Sequence, residues 1–283
     1  MKRVIITGDD FGLALPVNEA IAEAHRRGVL TAASLMVGAS AAADAVERAL
    51  RLPTLRVGLH VVLVEGRPVL LPEQVPALVD AHGEFSCRLV RAGFNFLSGP
   101  GVRRQLEAEI RAQFEAFRRT GLPLDHVNAH NHMHLHPAVL GLILKVGREY
   151  AARAVRLPFE PPLLSWRASR KALSQRLAFA LFLAPWLKLM RVRLRRAGMK
   201  SNERVFGMTD SGRMTVDLVL RLVKLLPDGV TEIYFHPATR RCPEIVRNMP
   251  DYHHEEEFNA LIDPAFSDVL AQVGAERIAF ADL

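Results

Sequence analysis

The sequence has little cysteine, no long apolar run and, over one stretch, no acid at all. Cys87 and Cys242 are the only two cysteines in 283 residues, so at most one bridge can form and no metal-type Cys pair exists. A reducing compartment is the simpler inference. The longest apolar run, Leu177 to Leu187, falls short of the ~20 residues a spanning helix needs, and Pro185 breaks it. A signal peptide is not expected, because Asp9-Asp10 interrupts the apolar stretch that follows Lys2-Arg3. Between Glu160 and Glu203 there is no Asp or Glu, yet ten Lys and Arg fall there. Without those ten, 27 basic residues face 30 acidic ones, so the net charge of +7 belongs to one segment. A nucleic-acid partner is therefore not expected. A glycine-rich dinucleotide fingerprint is also missing after the first strand, which argues against a Rossmann fold.

What is present is a regular alternation of strand-like and helix-like segments. Val4-Ile5-Ile6 opens the chain as a buried strand. Later strands are expected at Ala32–Val37, Leu55–Leu63, Leu124–His130, Ala154–Pro158, Arg204–Gly207, Val230–Phe235 and Arg277–Phe280. Helical spacing separates them, most clearly over Val102–Thr120, where Leu106, Ile110, Phe114 and Phe117 recur at three- and four-residue intervals. Eight such units without a linker predict one α/β domain over 1–283. The expected fold is a TIM-barrel-like (β/α) barrel, distorted or incompletely closed, with irregular rim excursions at 65–101 and 238–252; an open doubly wound sheet is the alternative. The basic stretch reads as an amphipathic insertion at about 161–202. Its Leu173, Leu177, Leu181 and Ala184 recur every three to four residues, ahead of Trp186 and an arginine cluster. Peripheral contact with an anionic membrane and a solvated surface helix fit this segment about equally.

In a barrel, residues at the carboxyl ends of strands converge on one face. Here four strands end in groups that bind metals or move protons: Asp9-Asp10, His60, His130 with His132, and His236. Two adjacent acids at the end of a buried strand need a cation or a proton to be tolerable. A turn explains such a pair taken alone, but not the histidines at three further strand ends. In an extended strand residues two apart lie roughly 6–7 Å along the chain, so one or two of His130, His132, His134 and His136 can reach a single ion. His134 and His136 fall in the turn to the next helix. One carboxylate and two imidazoles leave open coordination positions, as in a catalytic site. A second carboxylate then suits a general base, and a histidine from another strand a proton donor. This composition predicts metal-assisted hydrolysis of an amide or ester.

These residues resemble the YdjC-like carbohydrate deacetylase family. The resemblance rests on Asp9-Asp10-Phe11-Gly12, Gly58-Leu59-His60, Asn128-Ala129-His130-Asn131-His132, Arg156-Leu157-Pro158-Phe159-Glu160 and His236-Pro237, in order over nearly the whole chain. It implies a TIM-barrel-like fold and one divalent ion, Mg²⁺ or Zn²⁺, held by Asp10, His60 and His130. It implies Asp9 as the base and His236 as an acid or substrate ligand, with His132, Arg156 and Glu160 as substrate-binding positions. The activity implied is removal of an N-acetyl group from an N-acetylated sugar. The stretch from Lys200 to Gly212 is most similar to the hopanoid-biosynthesis-associated branch, which implies an N-acetylglucosaminyl hopanoid glycolipid and a cytoplasmic protein peripheral at the inner membrane. Two departures stand out. Asn128 occupies a place where Asp is common, and Tyr252-His253-His254-Glu255 replaces a region where Arg is common. The competing readings are an amidohydrolase or phosphoesterase, which would carry His-x-His rather than Asp-Asp on the first strand, and a non-catalytic glycolipid-binding protein at a membrane surface.

Overall fold

The computed structural model describes all 283 residues. Seven parallel strands form its sheet: β1 (Lys2–Phe11), β2 (Ala32–Leu35), β3 (Arg56–Val61), β4 (Leu124–Ala129), β5 (Arg204–Phe206), β6 (Gly229–Phe235) and β7 (Ala275–Ile278). Their spatial order is β4-β3-β2-β1-β6-β5. β7 pairs with Lys2–Ile5 of β1, while β2 takes over the pairing from Thr7 onward.

The strand expected at Ala154–Pro158 does not form. Ala154 and Val155 make only single bridges, to Lys200 and Val127. Leu157 then exchanges both backbone hydrogen bonds with the side-chain amide of Asn202, and Pro158 has no N–H to donate, so a ladder cannot propagate. The result is a parallel half-barrel whose β4-to-β5 seam is crossed by isolated bridges. The last strand begins at Ala275, two residues earlier than its pattern indicated, and Phe280 falls in a short 3₁₀ turn.

Because side chains alternate along a strand, odd and even positions face different layers. One face packs under the helices in the main core. There the Pro100–Arg119 helix buries Leu106, Ile110, Phe114 and Phe117, the four positions its periodicity marked. The other face is stratified along the barrel axis. At the amino ends of the strands Ile5, Ala32, Ala154, Val230, Ile278 and Phe280 form a separate apolar plug. Two residues further on, Thr7, Ser34, Arg156 and Glu232 form a buried polar layer. His126 belongs to it, with its ring stacked on Phe280 at 4.5 Å. Gly58 makes the room, since a Cβ there would come within 2.5 Å of the His126 ring.

Neither rim excursion is wholly irregular. The first contains a helix at Leu89–Asn95, and the second one at Pro243–Asn248. The first is held down by the buried Glu109 carboxylate, which accepts from the backbone N–H groups of Val69 at 2.9 Å and Leu70 at 3.1 Å. The acid-free segment folds as two helices, Pro162–Ser169 and Leu173–Arg196. In the longer one Leu183, Leu187, Met190 and Leu194 pack inward, whereas Leu177, Leu181 and Trp186 stay exposed. Apart from the buried Arg176, its basic residues gather toward the carboxyl end, at Lys188, Arg191, Arg193, Arg195 and Arg196, and its exposed apolar residues lie ahead of them. No helix is long and apolar enough to cross a membrane. Cys87 and Cys242 are both free.

Candidate active site

Parallel pairing sends the carboxyl ends of all strands to one rim, where the chemically active side chains gather. Asp10, His60 and His130 bring three ligand atoms within 4.8 Å of one another, all from buried residues. Asp10 Oδ1 lies 3.3 Å from His60 Nε2 and 3.1 Å from His130 Nδ1, and Asp10 Oδ2 is buried without a hydrogen-bond partner. A carboxylate with one oxygen between two imidazole nitrogens and the other without a partner is a donor set for a cation. Burial opposes the Asp10 charge, but His130 beside it holds the carboxyl well below the usual carboxylate range. Burial likewise opposes the imidazolium, yet Asp10 prevails and lifts His130 to about 10.

The far nitrogens of the two rings are also engaged. His130 Nε2 is 3.4 Å from Glu65 Oε2, and Asn131 donates to the same oxygen at 2.7 Å. His60 Nδ1 is 2.7 Å from the Asn128 amide, which can present either end. With the carbonyl toward His60, Nδ1 carries the proton and Nε2 is free as a ligand. With the amide reversed, its NH₂ donates to Nδ1, its carbonyl accepts from Arg156 at 2.9 and 3.1 Å, and Nε2 must hold the proton.

Asp9 has different company. Arg156 donates to it twice, at 2.5 and 2.9 Å, and donates twice more to Glu232, at 2.9 and 2.7 Å. Thr7 Oγ1 donates to Glu232 as well, at 2.7 Å. Against burial, which favours the neutral acid, the Arg156 charge holds Asp9 far below the usual carboxylate range. Two buried acids, Asp9 and Glu232, thus share the Arg156 guanidinium, while Asp10 has only imidazoles beside it.

Asp9, His60, His130, His132, Tyr234 and His236 line a cavity of about 240 Å³, walled on its outer side by Phe179, Met208, Met249 and Tyr252. His132 Nε2 is 3.0 Å from the Tyr234 hydroxyl, and the Arg156 guanidinium lies 4.7 Å from the centre of the Tyr234 ring. His236 Nδ1 faces Ser211 Oγ at 3.4 Å. Burial holds His236 down to about 4 although both aspartates pull the other way, so its ring is neutral near pH 7. Its backbone N–H donates to Glu257, a fully buried carboxyl that burial pushes up to about 7.

Of the positions singled out in the sequence, Asp9, Asp10, His60, His130, His132 and His236 come together here. Arg156 lies beneath Asp9 with no exposed surface, and Glu160 is turned away. Glu160 accepts from the Met208 N–H at 2.8 Å and from Thr209, and it meets Arg176 of the long basic helix at 3.5 Å. His134 donates to the Arg156 carbonyl at 3.2 Å behind the cavity, and burial holds it near 3. Glu65, Glu232 and Tyr234 were not singled out, and Tyr252 was noted only as part of a departure from the family pattern. The alternation Glu232, Tyr234, His236 on β6 was the available signal for two of them. Glu65 carried none, because it reaches the site from an excursion with φ +54°. Asp10, Asn131 and His132 are also left-handed, with φ of 62°, 51° and 53°. Such residues store on the order of 1–3 kcal/mol of strain each and cluster where side chains must be aimed.

Comparison with known proteins gives the family and the fold. A family model described as YdjC-like protein matches residues 3–272. A Geobacillus stearothermophilus protein named carbohydrate deacetylase is 31% identical, the match covering 99% of this chain and 98% of that one. One of the same name from Brevibacillus brevis is 43% identical over 157 residues, 56% of this chain and 60% of the relative's length. The crystal structure of an Enterococcus faecalis V583 protein superposes with a TM-score of 0.76 at 24% identity over 99% of this chain and 98% of that one, a likeness of fold.

Proposed function

The chain belongs to the YdjC-like family, and on that premise we propose that it hydrolyses the N-acetyl group of an N-acetylated sugar with one divalent ion at Asp10, His60 and His130. The observation that carries this reading is the buried Asp10 carboxylate, with Oδ1 between two imidazole nitrogens and Oδ2 without a partner, and with Asp9 on the adjoining cavity wall. A bound Mg²⁺ or Zn²⁺ would polarise the acetyl carbonyl and acidify a water.

The chain's own residues supply the rest. Asp9 faces the cavity and accepts the proton of the attacking water. Its basicity is set by a contest in which Arg156 drains charge from it and Glu232 competes for the same guanidinium. The protonated Asp9 can return that proton to the departing nitrogen, so that acetate and a free amine result. His236, neutral because it is buried, suits a hydrogen-bond donor to the substrate better than a proton source. His132 and Tyr234 offer polar contacts to a sugar, in a cavity whose outer wall is apolar. Arg156 acts through Asp9, and Glu160 through the anchoring of the Leu173–Arg196 helix.

The apolar wall of Phe179, Met208 and Met249 and the resemblance of the stretch from Lys200 to Gly212 support a lipid-linked acceptor, an N-acetylglucosaminyl hopanoid. The test is acetate release from soluble N-acetylglucosamine oligomers and from such a glycolipid, with Zn²⁺ or Mg²⁺ and after chelation. The expected result is metal-dependent acetate, faster from the glycolipid and absent in His60→Ala. No acetate from either substrate, or release by the chelated protein or by His60→Ala equal to that of the metal-loaded parent, would sink the reading.

A further inference from the structure

We propose that the cavity mouth docks against an anionic lipid bilayer through two acid-free, apolar-tipped segments of the rim. This inference stands apart from the deacetylase reading and concerns where the protein works. The first segment is the Leu173–Arg196 helix. It exposes Leu177, Leu181, Phe182 and Trp186, with Leu181 and Phe182 at 77% and 69% exposure. The same stretch contributes Phe179 to the wall of the cavity. The second is the Leu89–Asn95 helix of the first excursion, which exposes Val90 and Phe94 at 74% and 73%, with Leu97 just beyond it.

These segments are far apart in sequence, and both reach the His136-Pro137 turn, the long helix through its carboxyl-terminal part. Phe96 packs edge-on against His136 at 5.8 Å, and Arg193 Nη1 donates to the Pro137 carbonyl at 2.6 Å. The long helix is pinned toward the cavity side at two points. Arg176 is bound to Asp210 at 2.7 Å, and the Arg191 guanidinium lies 4.5 Å from the Phe159 ring centre.

Charge selects the occupant. From 161 to 202 there is no acid, and Arg167, Arg170, Lys171, Lys188, Arg195 and Arg196 are all exposed. From 85 to 106 there is again no acid, and Arg88 and Arg91 are exposed beside Val90 and Phe94. Aromatic and aliphatic tips among unpaired cations match an anionic headgroup layer over hydrocarbon. A second copy of the chain would set these cations against themselves.

The experiment is flotation of the full chain with phosphatidylcholine vesicles, with and without phosphatidylglycerol, alongside tryptophan emission, since Trp186 is half exposed and placed to report insertion. Binding is expected to be at least about tenfold stronger to the anionic vesicles, to weaken as salt rises, and to shift the emission to the blue. Leu181→Ser/Phe182→Ser and Val90→Ser/Phe94→Ser should each weaken flotation, and their combination should abolish it with thermal unfolding unchanged. Lys188→Gln/Arg195→Gln should weaken anionic binding and flatten its salt dependence. The proposal is overturned if the parent does not float with anionic vesicles. It is also overturned if the serine variants float as the parent does, or if the parent is a dimer that Leu181→Ser/Phe182→Ser dissociates.

Discussion

Asp9 and Asp10 are joined by one peptide bond and sit in opposite surroundings. Around Asp9 every charge is answered: Arg156 grips it twice, Glu232 grips Arg156 in turn, and Thr7 steadies Glu232. Around Asp10 the chain supplies two imidazoles and leaves one oxygen without a partner. The Asp9 side is complete as protein, whereas the Asp10 side leaves a carboxylate oxygen for the cation proposed there. The backbone makes this possible: the register of β1 is broken between Gly8 and Phe11 and Asp10 is left-handed, so the two side chains point to different neighbours.

The comparison is broken most directly at Asp10. Asp10→Asn should abolish metal binding by calorimetry and lower acetate release by on the order of 10³-fold or more, with little loss of stability. Metal binding equal to the parent's would show that the cation is not held there. On the other side, Arg156→Met leaves two buried carboxylates without their counter-charge and should cost about 3–5 kcal/mol in urea unfolding. Adding Glu232→Gln to it should restore part of that loss. If Arg156→Met unfolds like the parent, the Asp9 side is not the self-contained network described. Glu65→Gln is subtler. It should weaken metal affinity about 10- to 100-fold while leaving the melting temperature in place, since Glu65 only orients His130.

Acid titration separates the buried neutral histidines from Asp9 without mutation. His134 is depressed from 6.5 to about 3 and His236 to about 4, so below pH 6.5 the unfolded chain takes up protons that the folded chain refuses. Their contribution is complete above pH 6.5 and is lost progressively as pH falls toward 3–4. Asp9 is also depressed, but its unfolded value is 3.8, so its contribution erodes only below about pH 4. Melting temperature should therefore begin to fall near pH 6.5, and His134→Gln should reduce the slope there by about one proton, ~1.4 kcal/mol per pH unit. A parent curve that is flat down to pH 4 would contradict the buried neutral histidines.

Much of this was legible from spacing. The four strand ends bearing Asp9-Asp10, His60, His130 and His236 meet as barrel logic requires. The residues that complete their chemistry were harder to see. Glu232 and Tyr234 lie in a strand whose apolar neighbours dominate the pattern, and their roles appear only when Arg156 crosses from the β4–β5 seam. Glu65 arrives from an excursion without periodicity. The expected strand at 154–158 failed because Asn202, forty-five residues later, offers its side chain where a backbone would have been needed. The insertion at 161–202 announced its charge but not its internal division. That division depends on which leucines find the barrel, and Leu183, Leu187, Met190 and Leu194 outcompete the row containing Leu177 and Leu181.

The left-handed backbone at Asp10 has a bearing on how this position can drift in evolution. With φ at 62°, the site admits glycine, asparagine and aspartate readily and penalises branched or bulky residues. Among those three only aspartate brings a formal negative charge. On the proposed metal reading, one substitution to Asn or Gly would therefore remove the ion's carboxylate with the backbone unstrained, and position 10 would mark which descendants of this chain keep the centre.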